Sequence, residues 1–413
     1  MRRAWIQSSV VVVVMAATAS VSLGNGYKIM CMKSAKATAM GEAFVVQADD
    51  PTTIAYNPAG LAQLEGNQVN IHGTLCNAYM EHTSPAGVKT DNEDGWQLVP
   101  SLFYTTDMGK EDMSAGIGIS FPNGISSEWS ENSFARYVAT YSDLVVADVS
   151  PAFGMKVNDS LMLGGGISYY YSEAQLENVV DAGTLSGGSP NGIDVKSTME
   201  GDGSAWGAGI GMIYQVNEQH GFGLTYRLPY SIDYDGDVTI AGQGNAVDAT
   251  IDFPAVVVIG YAFRPTEKWK VELNLDWTQW DQVDDIVLDF ESPFLTDVTQ
   301  AQDFDNTIAY KLGTECRYSE TIDLRCGYIY NENATSERTW RPSLPDTDIH
   351  FLTAGCGYRQ GNVTIDAALQ VVYYETRTID NNVDFNEFTS QSSVDGTYRT
   401  WAPCLSLAMT YKF

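Results

Sequence analysis

The sequence predicts an all-β protein, a 14-stranded antiparallel transmembrane β-barrel with an N-terminal hatch lodged in its lumen. Three observations lead there. Beyond the leader, no stretch approaches the roughly 20 consecutive apolar residues that a spanning helix needs. Alternating apolar and polar segments recur fourteen times over residues 67–413. Ahead of them lies Ala48-Asp49-Asp50-Pro51-Thr52-Thr53-Ile54-Ala55-Tyr56-Asn57-Pro58-Ala59-Gly60-Leu61. Its mixture of Asn, Pro and Gly with apolar residues is turn chemistry, and a compact plug of this kind suits a barrel lumen.

The chain opens with Arg2-Arg3, an apolar run through Val10–Ala17 and a zone of small residues, which reads as a signal peptide over residues 1–24. Cleavage after Ala19 or after Gly24 satisfies the small-x-small rule. An exported chain with no spanning helix crosses a membrane only as a closed barrel, because every backbone N–H and C=O must be paired inside lipid. Residues 25–66 are expected to form the hatch and residues 67–413 the barrel.

At 413 residues a large barrel takes the whole length as one unit. The formal net charge is −29, and becomes −31 once residues 1–24, with two Arg and no acid, are removed. That balance excludes a nucleic-acid partner, whose phosphates need clustered Lys and Arg. The 44% hydrophobic content and 23 Tyr argue against disorder. Six cysteines (Cys31, Cys76, Cys316, Cys326, Cys356 and Cys404) form no Cys-x-x-Cys pair, and only four His accompany them. No metal site and no cofactor are expected. Free buried thiols are the plain reading; Cys316 and Cys326 facing each other across a hairpin is the alternative.

The strands are expected near residues 67–80, 95–107, 112–129, 142–157, 160–177, 202–217, 219–238, 248–264, 267–289, 305–319, 321–332, 347–360, 362–378 and 398–413. The last is the clearest. Trp401, Pro403, Leu405, Leu407, Met409, Tyr411 and Phe413 alternate with small or polar residues, at about the 9–11 residues a tilted spanning strand requires. A terminal Phe resembles the signal read by the barrel assembly machinery. Short turns at Asp107–Glu111, Asn158-Asp159, Asn217–Gln219, Pro265-Thr266, Ser319-Glu320 and Gln360-Gly361 alternate with long connections at 81–94, 130–141, 178–201, 239–247, 290–304, 333–346 and 379–397. Short periplasmic turns and longer outer loops are the topology of such barrels.

Within the strands the charges fall on one face. Trp269, Val271, Leu273, Leu275 and Trp277 oppose Lys270, Glu272, Asn274 and Asp276, and the following strands add Lys311, Glu315, Arg317, Asp323, Arg325, Asp366 and Gln370. A charge facing lipid costs about 2–4 kcal/mol at the midplane, so these groups line the lumen. Two readings stand: a structural ladder of ion pairs, or contact of Lys311, Arg317 or Arg325 with an anionic ligand headgroup.

These residues resemble the FadL-type transporters of long-chain fatty acids and other hydrophobic compounds, in the outer membrane of Gram-negative bacteria. The resemblance runs through Asn25-Gly26-Tyr27, Gly41-Glu42, Ala48-Asp49-Asp50 and Asn57-Pro58-Ala59, then Val99–Tyr104, Gly116–Gly124, Ala135–Thr140, Ser142–Leu144 and Leu163–Tyr169. It is specific over roughly residues 25–177. It implies a mature start at Asn25, capture of a hydrophobic ligand at the extracellular side, and lateral exit into membrane lipid at a kink in the third strand. The kink falls on Phe121-Pro122-Asn123-Gly124. Pro122 lacks an N–H and Gly124 favours a bulge, which independently marks interrupted pairing; a strand end or loop is the plainer reading. Tyr27 matches a hatch aromatic near the ligand.

Three other functions compete. An outer-membrane lipase needs a Ser-His constellation; His72, His82, His220 and His350 lack a nucleophile motif, so no catalytic residues are assigned. A general diffusion porin has no need of the 25–66 segment. Binding or adhesion through the acidic outer loops is the third: loop 281–305, with Asp281, Asp284, Asp285, Asp289, Glu291, Asp297, Asp303 and Asp305, offers carboxylates for a divalent cation, but an acidic run is usually a solvated face. The expectation is a monomeric, passive, ligand-gated channel for fatty acids or monoaromatic hydrocarbons, with Asp49, Asp50, Asn57, Pro58 and Ala59 in the gate. Asn57 is expected to bond wall backbone left unpaired at the third-strand kink, or simply to cap a turn.

Overall fold

The computed structural model describes residues 24–185, 192–292, 295–380 and 394–413. All but the last residue of the leader lies outside them, as do parts of three long connections. Among the described residues, fourteen strands close one antiparallel ring. The first is Asn67–Cys76, continued by Tyr79–Thr83. Then follow Gln97–Thr106, Met113–Glu128, Tyr141–Asn158, Leu161–Asp181 and Asp194–Gln215. The seventh and eighth are each broken once, as His220–Arg227 with Tyr230–Ile240 and Gln243–Phe253 with Val256–Thr266. The ninth is Trp269–Thr278 with Ile286–Phe290. Thr307–Arg317, Ile322–Asn331, Ile349–Gln360, Val363–Tyr374 with Arg377–Ile379, and Gly396–Lys412 complete the set. Pairing of Lys412 with Gln68 through Cys404 with Cys76 joins the last strand to the first.

The alternation in sequence is the alternation in space. In the ninth strand Leu273 and Leu275 are each 50% exposed on the outside, whereas Glu272 and Asn274 are 1% exposed inside. The same outward apolar band includes Leu352, Leu369 and Leu407, the surface that lipid covers.

Four expectations need correction. Residues 239–247 form no long loop: Ile240 pairs with Gln243 around Ala241-Gly242, both in the left-handed region (φ 51° and 80°), the geometry of a two-residue hairpin turn. The 178–201 connection is likewise paired out to Asp181 with Asp194. The first stretch is rich in Gly and small residues around Gln243 and Asn245, and the second carries Asn178, Asp181, Asp194 and Glu200 without clean alternation, so both read as loop. Above the membrane water solvates both faces, so the backbone ladder needs no apolar side. The 267–289 strand is interrupted by a 3₁₀ turn at Trp280–Gln282 that turns Trp280 fully inward. Pro229 and Pro254, which cannot donate to a ladder, stand at the breaks in the seventh and eighth strands.

The fourth correction concerns the cysteines. Cys76 and Cys404 are register partners, with Cα atoms 4.3 Å apart, and form a disulfide across the seam of the ring. Cys316 and Cys326 do not face each other; they oppose Leu324 and Thr314. Cys31, Cys316, Cys326 and Cys356 are free thiols.

Residues 26–64 pack against inward faces all round the ring and so occupy the lumen. Short helices at Ala35–Ala39 and Thr53–Tyr56 and a 3₁₀ turn at Pro58–Gln63 carry this inner segment. Ser34 caps the first helix, accepting from the Ala37 N–H, and the Asn57 carboxamide caps the 3₁₀ turn through the Ala59 N–H. Glycines let the wall come close. Gly154, Gly164 and Gly211 are register neighbours on the fourth, fifth and sixth strands, and a Cβ on any of them would strike Asn57, Pro58, Ala59 or Leu61. Gly313 and Gly327 give Met40-Gly41 a second seat of the same kind.

The disulfide yields a test of the closure. Cys404→Ser should leave a folded barrel, held by the intact ladder to the first strand. It should lower the temperature at which the SDS-resistant form is lost, since a cross-link of this span is worth about 2–4 kcal/mol. Heat-modifiability on non-reducing gels measures it, with the wild type expected to show two alkylation-resistant cysteines when unfolded.

Candidate ligand path and lateral seam

Third-strand geometry sets up the site. The ladder to the second strand ends at Leu102 with Ile119, so Gln97–Ser101 pair with the first strand and not with the third. On its other side the third strand slips by one residue: Ser120 opposes Asp148 and Asn123 opposes Val146, leaving Phe121 and Pro122 opposite Ala147 alone. This is a bulge, and it stands where the kink was expected. Main-chain contact resumes only near the loops, where the Glu93 N–H donates to the Glu128 carbonyl at 2.9 Å.

The inner segment supplies the missing partner. Lys28 pairs with Asn123, and the Gly124 N–H donates to the Tyr27 carbonyl at 2.9 Å. Tyr230 donates its hydroxyl to the Asn123 side chain at 3.0 Å. Ser101, on the open edge of the second strand, donates its hydroxyl to the Lys33 carbonyl at 3.1 Å.

Two cavities adjoin this contact. The upper one, about 180 Å³, is mainly apolar, with Ile125, Leu144, Leu176, Val247, Ile251 and Phe304 in its lining and Tyr27 and Arg341 at its border. The lower one, about 90 Å³, is bordered by Pro122 and Asn123 and by Lys28, Lys33, Arg227 and Lys311. Between them Tyr27 packs on Phe253, Trp280 and Phe304, with ring centroids 6.0–6.2 Å apart. The Tyr27 hydroxyl donates to Gln302 at 3.0 Å. Burial pushes the Tyr27 phenol well above its ordinary range, so it stays a neutral hydrogen-bonding group.

Ion pairs fasten the segment beneath. Lys36, Asp49, Lys270, Glu315, Arg325 and Asp366 form a chain of alternating sign, with successive contacts of 2.6, 3.4, 3.0, 2.7 and 2.6 Å. Lys28, Asp276, Lys311 and Glu42 form another at 2.7, 2.7 and 3.2 Å. Burial pushes the Asp50 carboxyl up to about 6, opposed by Lys36 and by the hydrogen bonds from Thr52.

Of the residues singled out from the sequence, Tyr27, Phe121, Pro122, Asn123 and Gly124 come together at the seam. Lys311 borders the lower cavity but is already paired to two carboxylates. Arg325 is held between Glu315 and Asp366, and Arg317 lies 3.8 Å from Asp323 beside a short turn; neither borders either cavity. Asn57 does not reach the third strand. Its amide donates to the Val45 carbonyl at 2.7 Å and to the Met212 carbonyl of the sixth strand at 3.1 Å, because the glycine row seats it there. Asp49, Asp50, Pro58 and Ala59 lie with it in the lower segment. Sequence reasoning missed Lys28, Lys33, Arg227, Gln302 and Arg341. The one available signal was Trp340-Arg341-Pro342-Ser343-Leu344-Pro345, too apolar and proline-rich for a merely solvated loop.

An internally plugged, lipid-banded barrel with an apolar cavity beside a wall seam defines a class: outer-membrane transport barrels with an occupied lumen. The chain belongs to the family described as outer membrane protein transport protein (OMPP1/FadL/TodX), which it matches over residues 15–413. It is 23% identical over 430 residues to outer membrane protein P1 of Haemophilus influenzae, covering 90% of this chain and 91% of that one. To the long-chain fatty acid transport protein of Escherichia coli K12 it is 22% identical over 354 residues, covering 75% and 79%. Among solved structures it resembles a Pseudomonas aeruginosa FadL homologue (TM-score 0.81, 17% identity, 94% and 100% covered) and the Ralstonia pickettii toluene transporter TbuX (0.69, 19%, 91% and 97%). It is an outer-membrane protein of Gram-negative type, and its family relatives are transporters and channels rather than enzymes.

Asp346 holds the loop that carries Arg341 and Leu344. It accepts from the Ala334 and Thr335 N–H groups at 2.6 and 3.1 Å, and burial pushes its carboxyl up to about 7, with Arg377 and the Gly26 amide opposing the rise. A folded value raised above the unfolded one stabilises the loop fully below about pH 4, and that stability is lost as pH rises through about 7. Amide protection factors at Ala334 and Thr335 should therefore fall between about pH 4 and 7 and level off above, roughly ten-fold per unit at most, and Asp346→Asn should flatten the profile.

Proposed function

We propose that the protein is a passive, ligand-gated channel that takes a hydrophobic molecule from the long-loop side and releases it sideways through the wall. The observation that carries this reading is the exchange of partners at the third strand, which leaves the second strand and pairs with the inner segment beside two cavities. Ligand enters the upper cavity among apolar side chains. It passes the Tyr27–Lys28 partition once that segment releases Asn123 and Gly124, and leaves through the gap between Gln97–Ser101 and the bulge into outer-membrane lipid. In this scheme residues 25–66 are a hatch that stays in the lumen, so only the partition moves. Asp49 and Asp50 with Asn57, Pro58 and Ala59 anchor the hatch's lower part, while Tyr27 is the gating aromatic. The route consumes no cofactor and involves no covalent step. A general diffusion porin is disfavoured, since a lumen crossed by two buried ion-pair chains offers a hydrophilic solute no open path. The relatives named for fatty acids and for toluene fit a hydrophobic ligand of either kind.

Removing Pro122 should restore one-to-one pairing of the third strand with the fourth and let it re-form its ladder with the second. Uptake of radiolabelled hydrophobic substrates, both a long-chain fatty acid and toluene, by complemented knockout cells should then fall at least about ten-fold, about 1.4 kcal/mol of added barrier. The barrel should stay heat-resistant on gels. Unchanged uptake of both with a straightened strand would remove the lateral route, and a gain in sugar permeation would favour the porin.

A further inference from the structure

Across the lower cavity from the third-strand bulge, three aromatic rings lie face to face. Tyr170 of the fifth strand, Tyr230 of the seventh and Phe253 of the eighth stack at centroid distances of 3.9 and 4.7 Å, with interplanar angles of 11° and 9°. The wall builds this stack. A Cβ on Gly207 of the sixth strand would stand 2.6 Å from the Tyr170 ring, so glycine there leaves that ring its place. Tyr230 and Phe253 are register partners, and Arg227 with Val256 is the next pair below. Pro229 therefore faces Pro254, and neither donates to the ladder. The middle ring of the stack rises from the rim of that break.

Tyr230 also reaches the bulge. Its hydroxyl donates to the Asn123 side chain at 3.0 Å, its one hydrogen bond among the described residues. A phenol in an apolar cluster needs such a partner, and this partner belongs to the residue that pairs with Lys28. All three rings, with Pro122 and Asn123, border the lower cavity.

The size of that cavity gives the contact its consequence. An apolar cavity of about 150 Å³ takes benzene, whereas the lower cavity measures about 90 Å³. Even a single hydrocarbon ring passes only when part of the lining yields. Lys28, Glu42 and Lys311 are tied in ion pairs. Tyr170 is wedged beside Gly207, and Phe253 packs on Tyr27. Tyr230 can slide in its own plane between the flat faces of its neighbours, and such a slide draws its hydroxyl off Asn123. We infer that Tyr230 is a positioning residue that latches the third strand from across the lower cavity, and that a molecule entering this cavity displaces it. Making room for the ligand and freeing the bulge are then one motion. The inference rests on the channel reading above and adds the residue that links occupancy to release.

Hydrogen exchange at the Gly124 amide reads the latch, because that N–H is held by the Tyr27 carbonyl while the seam is closed. With the full-length barrel in lipid nanodiscs, saturating toluene or dodecanoate, each alone, should speed that exchange at least about ten-fold, about 1.4 kcal/mol. Tyr230→Phe keeps the ring and loses the hydroxyl. Without ligand it should exchange about five-fold faster than the wild type, the worth of one neutral hydrogen bond. In an Asn123→Leu background the same change should add less than about 1.5-fold, since the partner is already gone. Tyr261→Phe, which removes a hydroxyl bonded to His220 on the outward face of the eighth strand, should leave Gly124 exchange as it was. Heat-resistant mobility confirms that each variant is folded. Wild-type exchange in Tyr230→Phe, or equal acceleration in both backgrounds, would overturn the inference, and the channel reading would stand as long as either ligand speeds exchange. No effect of either ligand on exchange, together with no uptake of either by complemented cells, would overturn both.

Discussion

Inside lipid a backbone N–H with no partner is not tolerated, and the whole structure is arranged around the place where the wall alone fails to provide one. Around the rest of the ring each strand satisfies its neighbours, the last being tied to the first by both ladder and disulfide. At the third strand Pro122 removes one donor, the bulge turns the next residues inward, and the Gly124 N–H finds its acceptor in the Tyr27 carbonyl. The wall therefore needs the inner segment to be complete. In the proposed channel, a segment that is both plug and strand partner couples its own movement to opening of the seam.

The segment is fastened to the wall at both ends. Below, glycines on the fourth to sixth and tenth to eleventh strands bring its backbone against the wall, and alternating charges fasten Lys36 and Asp49 through to Asp366. Buried ion pairs of this kind add little net stability, because desolvation offsets most of the attraction. Their geometry fixes where the segment sits. Above, the main-chain contact with the third strand is one short bridge and one hydrogen bond, backed by Tyr27 on its three aromatic neighbours and by the Lys28–Asp276 pair.

Much of this was legible in the sequence. Alternation placed the spanning strands, since lipid outside and a polar lumen impose opposite demands on successive residues. Turn chemistry marked the inner segment, and Pro122 with Gly124 marked the bulge. What was hidden depends on neighbours far apart in the chain. Cys76 and Cys404 are 328 residues apart in sequence, and no spacing rule links them. The polar hairpin around Ala241-Gly242 looked like loop because nothing above the membrane demands an apolar face. Asn57 showed its hydrogen-bonding capacity but not its partner, which the glycine row chooses. Lys311 and Arg325 looked like ligand cations until the carboxylates that neutralise them came into view.

The most direct test is to lock the short bridge itself. Lys28 and Asn123 are register partners, and a chain carrying Lys28→Cys and Asn123→Cys, with the four free thiols replaced, can be oxidised to tie the inner segment to the third strand. Ligand uptake by cells bearing the oxidised chain should fall to the level of cells without it and return on mild reduction, while the two single-cysteine chains respond to neither treatment. Full uptake through the cross-linked barrel would contradict the account, because the seam would then conduct without parting from the segment that completes it.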